Sequence, residues 1–237
     1  MPPYKYRIGL LVLIDDMTIE PEFNELAPEG VAVHAARMVY DPSYISPESL
    51  AKLESQVEKA VGEVVWAHPN VIAFACTSAS LIIGDEKLIQ KIGKKAPGIP
   101  ATTTITAVTQ ALRVLRMRTI AVGTPYTDDV NLAEEKYLED RGFKIANIEG
   151  LGIRDGPTLS LQEVDTIYNL AKRVDRPEAE GVFLSCTGLH AIPVIQKLER
   201  ELGKPVISSN LATFWHACKL AGIRGAIEGY GRLLRML

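Results

Sequence analysis

Two segments of this chain repeat one another. VIAFACTSAS (71–80) and GVFLSCTGLH (181–190) each run from an apolar stretch into Cys-Thr and then small residues, and Cys186 lies 110 positions after Cys76. The surroundings repeat in the same order. Ile8 to Asp16 and Ile120 to Asp128 both pass from an apolar run into an acidic turn, an offset of 112, and Pro100 and Pro205 each precede a run ending in Ser or Thr, an offset of 105. Near-equal offsets in one order indicate a duplicated unit, and two copies of this length exclude a solenoid.

Each unit alternates short apolar runs with longer helical patterns, which predicts an α/β protein with parallel sheets. Strands are expected at 7–14, 31–38, 71–76 and 99–104, and again at 118–124, 143–149, 181–186 and 204–209. Helices are expected at 47–67, opening on Pro47, and at 160–174, opening on a capping box from Ser160 to Glu163. The result is two pseudo-symmetric lobes, each a parallel four-stranded sheet flanked by helices. Lobe 1 is expected to take residues 1–104, completed by 211–237, and lobe 2 residues 105–210, with hinges near 104–106 and 210–213. Ligands of parallel sheets gather at the carboxyl ends of strands. Both Cys-Thr pairs fall there, so the active site is expected in the inter-lobe cleft with the two thiols on opposite walls.

Composition narrows the function. A chain of 237 residues with a net charge of -3, 6% aromatics and no basic run offers nothing for nucleic acid. The apolar stretch Ile8–Ile14 is seven residues long and closed by two aspartates, too short for a signal-peptide core or a membrane span, so no membrane partner and a cytoplasmic location are expected. The three cysteines form no C-x-x-C and no His-rich cluster, which argues against a disulfide framework, zinc or another metal. Gly229 and Gly231 lack phosphate-loop spacing, so no nucleotide site is expected.

The chemistry rests on Cys76 and Cys186. Free cysteines are commonly small buried hydrophobes, but two at equivalent strand ends suit an acid and a base on opposite faces of one carbon. A thiol has a reference pKa of about 8.5, so thiolate is within reach near neutral pH. Thr77, Ser78, Thr187 and Gly188 supply hydroxyls and backbone N–H groups that can cradle a carboxylate or the enediolate formed from it; the alternative is helix capping. Asp15 and Asp16 read as turn or capping residues. His190 is near enough to tune Cys186, whereas His34, His68 and His216 lack such a setting, and Cys218 reads as core.

These motifs together resemble the aspartate/glutamate racemase superfamily, in the branch of maleate cis–trans isomerases and arylmalonate decarboxylases. IGLLVLIDDMTIEPEF is similar to the opening of the isomerases, GTPYTDDVN to the stretch bearing an active-site tyrosine in both, and PVISSNLATFWHACKLAGIRGAIEGYGRLL to the end of the decarboxylases. The resemblance implies the superfamily's two-lobed fold, a homo-oligomer and a small carboxylic-acid substrate. It makes Cys186 the cysteine common to both branches and Cys76 the second cysteine of the isomerases, where the decarboxylases have glycine. It places Thr77, Ser78, Tyr126, Thr187 and Gly188 in the substrate cradle. Asp16 falls where the isomerases bind a carboxylate with asparagine, and Asp155 near a second such asparagine. An ionised aspartate repels a carboxylate, so a distal end that is neutral or carries an amine is expected unless Arg154 or a raised aspartate pKa compensates. The implied function is a cofactor-independent racemase or isomerase acting by proton transfer or thiol addition at the carbon α to a carboxylate. The alternatives are a decarboxylase with Cys186 as proton donor, and an ectoine-utilisation-type protein acting on an amino-acid derivative. A two-lobed binding protein would give no reason for paired thiols.

Overall fold

The computed structural model describes residues 4–237 and builds two sheets of four parallel strands. The first holds β1 (Tyr6–Leu13), β2 (Val31–Met38), β3 (Val71–Ala75) and β4 (Ala101–Thr103), in the order β2-β1-β3-β4. The second holds β5 (Thr119–Thr124), β6 (Lys144–Gly150), β7 (Gly181–Leu184) and β8 (Val206–Ser208), in the order β6-β5-β7-β8. The second order is the first shifted by four strands, which is the duplication expressed as topology. VIAFA and GVFL are buried residue by residue because helices cover both faces of a parallel sheet, so neither strand alternates.

The first sheet carries α1 (Ile19–Leu26), α2 (Pro47–Ala51), α3 (Val57–Val64), α4 (Thr77–Ile83), α5 (Asp85–Lys95) and α6 (Thr104–Val114). The second carries α7 (Asp128–Asp140), α8 (Gly156–Ser160), α9 (Val164–Val174) and α10 (Ile192–Leu202). The last helix, α11 (Ser209–Ala221), leaves β8 and packs back against α6, β1, β3 and β4 of the first sheet. It contains Cys218, which is fully buried. No helix among the described residues is long and apolar enough to cross a membrane.

Two helix expectations need correction. The 47–67 segment starts as expected, with Ser46 and Ser49 capping each other around Pro47, but it breaks into α2, a 3-10 turn, α3 and a second 3-10 turn. Ser55 donates its hydroxyl back to the Lys52 carbonyl within the first break, and the remainder, with four valines and Gly62 among its eleven residues, has low helix propensity. Its inward positions Leu53, Val57 and Val61 stay fully buried all the same. The Ser160–Glu163 capping box does not form. Asp155 accepts a hydrogen bond from Thr158 N (2.9 Å) and starts α8 earlier, helped by Pro157 in its first turn. Ser160 therefore ends α8, and α9 begins after Glu163.

Candidate active site

β3 and β7 each deliver a cysteine to one cavity between the lobes. Leu13, Asp15 and Asp16 line it from the end of β1, Tyr40 and Ile45 from the loop after β2, and Tyr126 from the end of β5. Gly156, Leu159 and Ser160 of α8 close it from the second lobe. The loop after β2 meets the one before α8 through two backbone hydrogen bonds, Ile45 N to Arg154 O (2.7 Å) and Gly156 N to Pro42 O (2.9 Å).

The two thiols sit in matched settings. Cys76 is the extended N-cap of α4; its Sγ accepts from Ala79 N (3.4 Å) and lies 3.6 Å from Ser78 Oγ. Cys186 Sγ accepts from Gly188 N (3.3 Å). A side chain at position 188 would collide with Leu159, so glycine lets this loop close onto α8 while its N–H stays on the sulfur. Cys186 also has a positive φ of 124°, a conformation that side-chain-bearing residues rarely hold. Its N–H donates to Ser209 Oγ (2.9 Å), which lies 2.7 Å from Thr77 Oγ1. One hydroxyl at the start of α11 thus ties both Cys-Thr motifs together.

A backbone N–H aimed at sulfur favours thiolate, but burial works against it. Burial pushes the Cys76 thiol up to about 12 and Cys186 well above its ordinary value. For Cys186 the Tyr126 hydroxyl pulls down and the charge of Cys76 pushes up. Tyr126 is 2% exposed, stands beside Cys186, and its hydroxyl makes no hydrogen bond within bonding geometry among the described residues.

Two carboxyls line the same cavity. Asp16 Oδ1 accepts from Thr18 N (2.9 Å) and Ile19 N (3.0 Å), so Asp16 both caps α1 and lines the cavity. Asp15 Oδ2 accepts from the Tyr40 hydroxyl (3.1 Å), while Oδ1 is shielded from solvent without a hydrogen-bond partner among the described residues. Burial, more than any neighbour, raises both carboxyl pKa values. Arg37 is the neighbouring cation, but its Nη1 donates to the carbonyls of Leu13, Ile14 and Asp16, and its Nη2 pairs with Glu20.

Behind the Cys186 loop, Glu22 of α1 is completely buried. Its Oε1 accepts from His190 Nδ1 (3.0 Å) and Ile192 N (3.2 Å), and its Oε2 from Asn210 Nδ2 (2.7 Å). Asn210 Nδ2 donates also to Thr187 O (2.9 Å), and Thr18 Oγ1 to Gly188 O (2.9 Å). The first lobe thereby grips residues 187–192 of the second. Glu134 of α7 is a different case. It is fully buried beside Ser185, neither of its oxygens makes a hydrogen bond among the described residues, and burial pushes its carboxyl up to about 7.

Comparison with known proteins places this architecture. A family model for arylmalonate decarboxylase matches residues 8–234. The chain belongs to the arylmalonate decarboxylase family. It is 38% identical over 143 residues to the arylmalonate decarboxylase of Bordetella bronchiseptica, covering 59% of this chain and 60% of that one. It is 27% identical over 241 residues to the maleate isomerase of Nocardia farcinica, covering 97% and 95%. A cysteine-to-serine variant of the Nocardia farcinica maleate cis–trans isomerase, solved with a covalently bound succinylcysteine intermediate, superposes with a TM-score of 0.89 at 27% identity over 97% of this chain and 98% of that one. A liganded arylmalonate decarboxylase variant, with a glycine changed to cysteine and a cysteine to serine, gives a TM-score of 0.87 at 28% identity over 97% and 98%. As a member of the arylmalonate decarboxylase family, this chain is an enzyme that works through cysteine chemistry.

Of the residues singled out from the sequence, the structure brings Cys76, Cys186, Asp16, Ser78, Tyr126, Thr187 and Gly188 to the cavity lining. Thr77 is fully buried behind it, bonded to Ser209, so its side chain supports the site without lining it. His190 bonds Glu22 and does not line the cavity; Asp155 caps α8 and Arg154 is exposed, and neither lines it. Sequence reasoning missed Tyr40, Gly156, Leu159, Ser160, Ser209, Glu22, Asn210 and Glu134. Only Glu22 had a local cue, as a carboxylate on the inward face of the short helix after the first strand. Among the described residues no His, Cys, Asp and Glu side chains cluster as a metal site.

Proposed function

We propose that this enzyme is an isomerase or racemase acting at the carbon α to a carboxylate, with Cys76 and Cys186 as its paired catalytic groups. The observation that supports this most is the pairing itself. Two thiols from equivalent strands line one cavity, each with a backbone N–H on its sulfur. The substrate carboxylate would lie near Ser78, Thr187 and Gly188, with the Tyr126 hydroxyl free to donate to it. One cysteine, as thiolate, takes the α-proton, or adds to an adjacent double-bonded carbon. The other, as thiol, delivers a proton to the opposite face. Negative charge on the enediolate is met by these preorganised donors. In the proton-transfer route the thiol and thiolate have then exchanged roles, so the reverse reaction starts from the other sulfur. In the addition route, after rotation about the new single bond, the second cysteine takes a proton back as the C–S bond breaks, which restores the starting thiolate and thiol.

The decarboxylase reading keeps Cys186 as the proton donor and has the 38% identity over 143 residues in its favour. It leaves Cys76 without a task. Incubation of a carboxylic-acid panel in deuterium oxide separates the two. Deuterium entering an otherwise unchanged acid, or cis–trans conversion, lost in both Cys76→Ala and Cys186→Ala, is the expected result. Carbon dioxide release that survives Cys76→Ala would overturn it.

A further inference from the structure

We propose that the cavity takes a zwitterionic substrate: a carboxylate together with an ammonium or comparable cationic nitrogen, the nitrogen held by Asp15 and Asp16. This names the substrate class of the two-thiol reaction proposed above and rests on that reading.

The argument is the cavity's charge balance. Four acidic groups line it, two thiols and two carboxyls, and among the described residues lining it there is no Lys, Arg or His. Arg37 is committed to three backbone carbonyls and Glu20. The substrate carboxylate adds another negative charge, and proton transfer requires one sulfur to become thiolate. A cation close by favours the charged forms of both carboxyls and thiols. None of the lining residues provides one, so the ligand is left to bring it.

The geometry suits that role. The Asp15 Oδ1 lies shielded from solvent without a hydrogen-bond partner among the described residues, and carboxylate oxygens are acceptors that an ammonium with three donors satisfies. Asp16 keeps its Oδ1 on the α1 backbone, fixing the carboxyl in place beside the cavity. Tyr126, 2% exposed, lines the cavity beside Cys186, and its hydroxyl has no partner within bonding geometry among the described residues, which leaves it available to a ligand. A cavity lined by carboxyl acceptors and hydroxyl donors, with no cation among its described lining residues, matches an amino acid or amino-acid derivative. A dicarboxylate would set its second anion against Asp15 and Asp16 and would need both held protonated, the direction in which burial moves them, so titration with succinate decides between the two charge states.

Calorimetric titration of the wild-type protein with 3-aminopropanoate, butanoate and succinate tests this without turnover. The aminopropanoate should bind at least about tenfold tighter than butanoate, a difference of roughly 1.4 kcal/mol, and succinate should be the weakest. In Asp15→Asn/Asp16→Asn, where asparagine can still cap α1, the first gap should close and succinate should gain. Butanoate equal to the aminopropanoate, succinate equal to or tighter than it, or no binding by any of the three would overturn the proposal. Binding here is independent of deuterium incorporation. A correct ligand order with wash-in surviving both cysteine variants would sink the two-thiol reading, whereas wash-in with an inverted order would sink only the substrate class.

Discussion

Replacing Glu22 with glutamine tests how the first lobe holds Cys186. The carboxylate meets three donors: His190 Nδ1 and Ile192 N on one oxygen, Asn210 Nδ2 on the other. An amide has a single acceptor oxygen. Whichever way it is turned, its NH2 group points at a donor on the other side. Hydrogen bonds to a charged group contribute about 1.5–3 kcal/mol each, and leaving a buried donor unmatched costs about 1–3 kcal/mol. A loss of about 3 kcal/mol is expected for Glu22→Gln, which for a chain of this size corresponds to a melting temperature lower by about 6–12 °C. The His190 side chain is 43% exposed, so His190→Ala should cost only about 1 kcal/mol or less. Because Asn210 also holds Thr187 O, the 187–192 loop should loosen, and kcat should fall more than KM rises. Melting curves and steady-state kinetics of the full chain measure both effects. A Glu22→Gln protein that melts within about 1 °C of wild type, with unchanged kcat, would refute the reasoning.

Three further outcomes are expected. With Cys76 pushed up to about 12, its alkylation in the unliganded protein should be slow at pH 7 and rise about tenfold per pH unit up to pH 10; a plateau by pH 9 in mass-resolved labelling would show that the thiolate already forms. Glu134 has its carboxyl raised to about 7 in the fold, so its own contribution to stability should be full below about pH 4.5 and be lost as pH rises towards 7, by roughly 3 kcal/mol. Glu134→Gln should escape that loss, and denaturant unfolding showing the same difference between the two proteins at pH 4.5 and pH 8 would contradict it. The positive φ of Cys186 implies that Cys186→Gly, though inactive, should be more stable than Cys186→Ala by about 1 kcal/mol; equal or reversed melting temperatures would remove the claim of strain.

Much of the fold was legible because its strands are buried on both faces and so read as unbroken apolar runs. β2 lies over 31–38 as expected, and the Cys-Thr pairs end β3 and β7. The second sheet's order follows from the duplication rather than from any local signal. Helix starts were less legible where two capping choices competed, and Asp155 ahead of Gly156-Pro157 won over Ser160. The supporting layer of the site was out of reach for a different reason. Glu22 is 168 to 188 residues from the side-chain and backbone groups that bond it, and Ser209 is 132 from Thr77. A buried polar side chain is defined by its partners, and those exist only once the lobes have met.

The pair of backbone hydrogen bonds from Ile45 to Arg154 and from Gly156 to Pro42 joins two loops that together roof the cavity. Were a ligand to enter between them, these two bonds would have to break first. At a net value of about 1 kcal/mol per bond, the parted form would make up about one molecule in 30. Association would then run about 30-fold below the rate an unroofed cleft would allow, whatever the reactivity of the sulfurs. Turnover should therefore slow with solvent viscosity before it responds to deuterium on the transferred proton. The slow coordinate of the enzyme would lie in its roof, between residues more than a hundred positions apart.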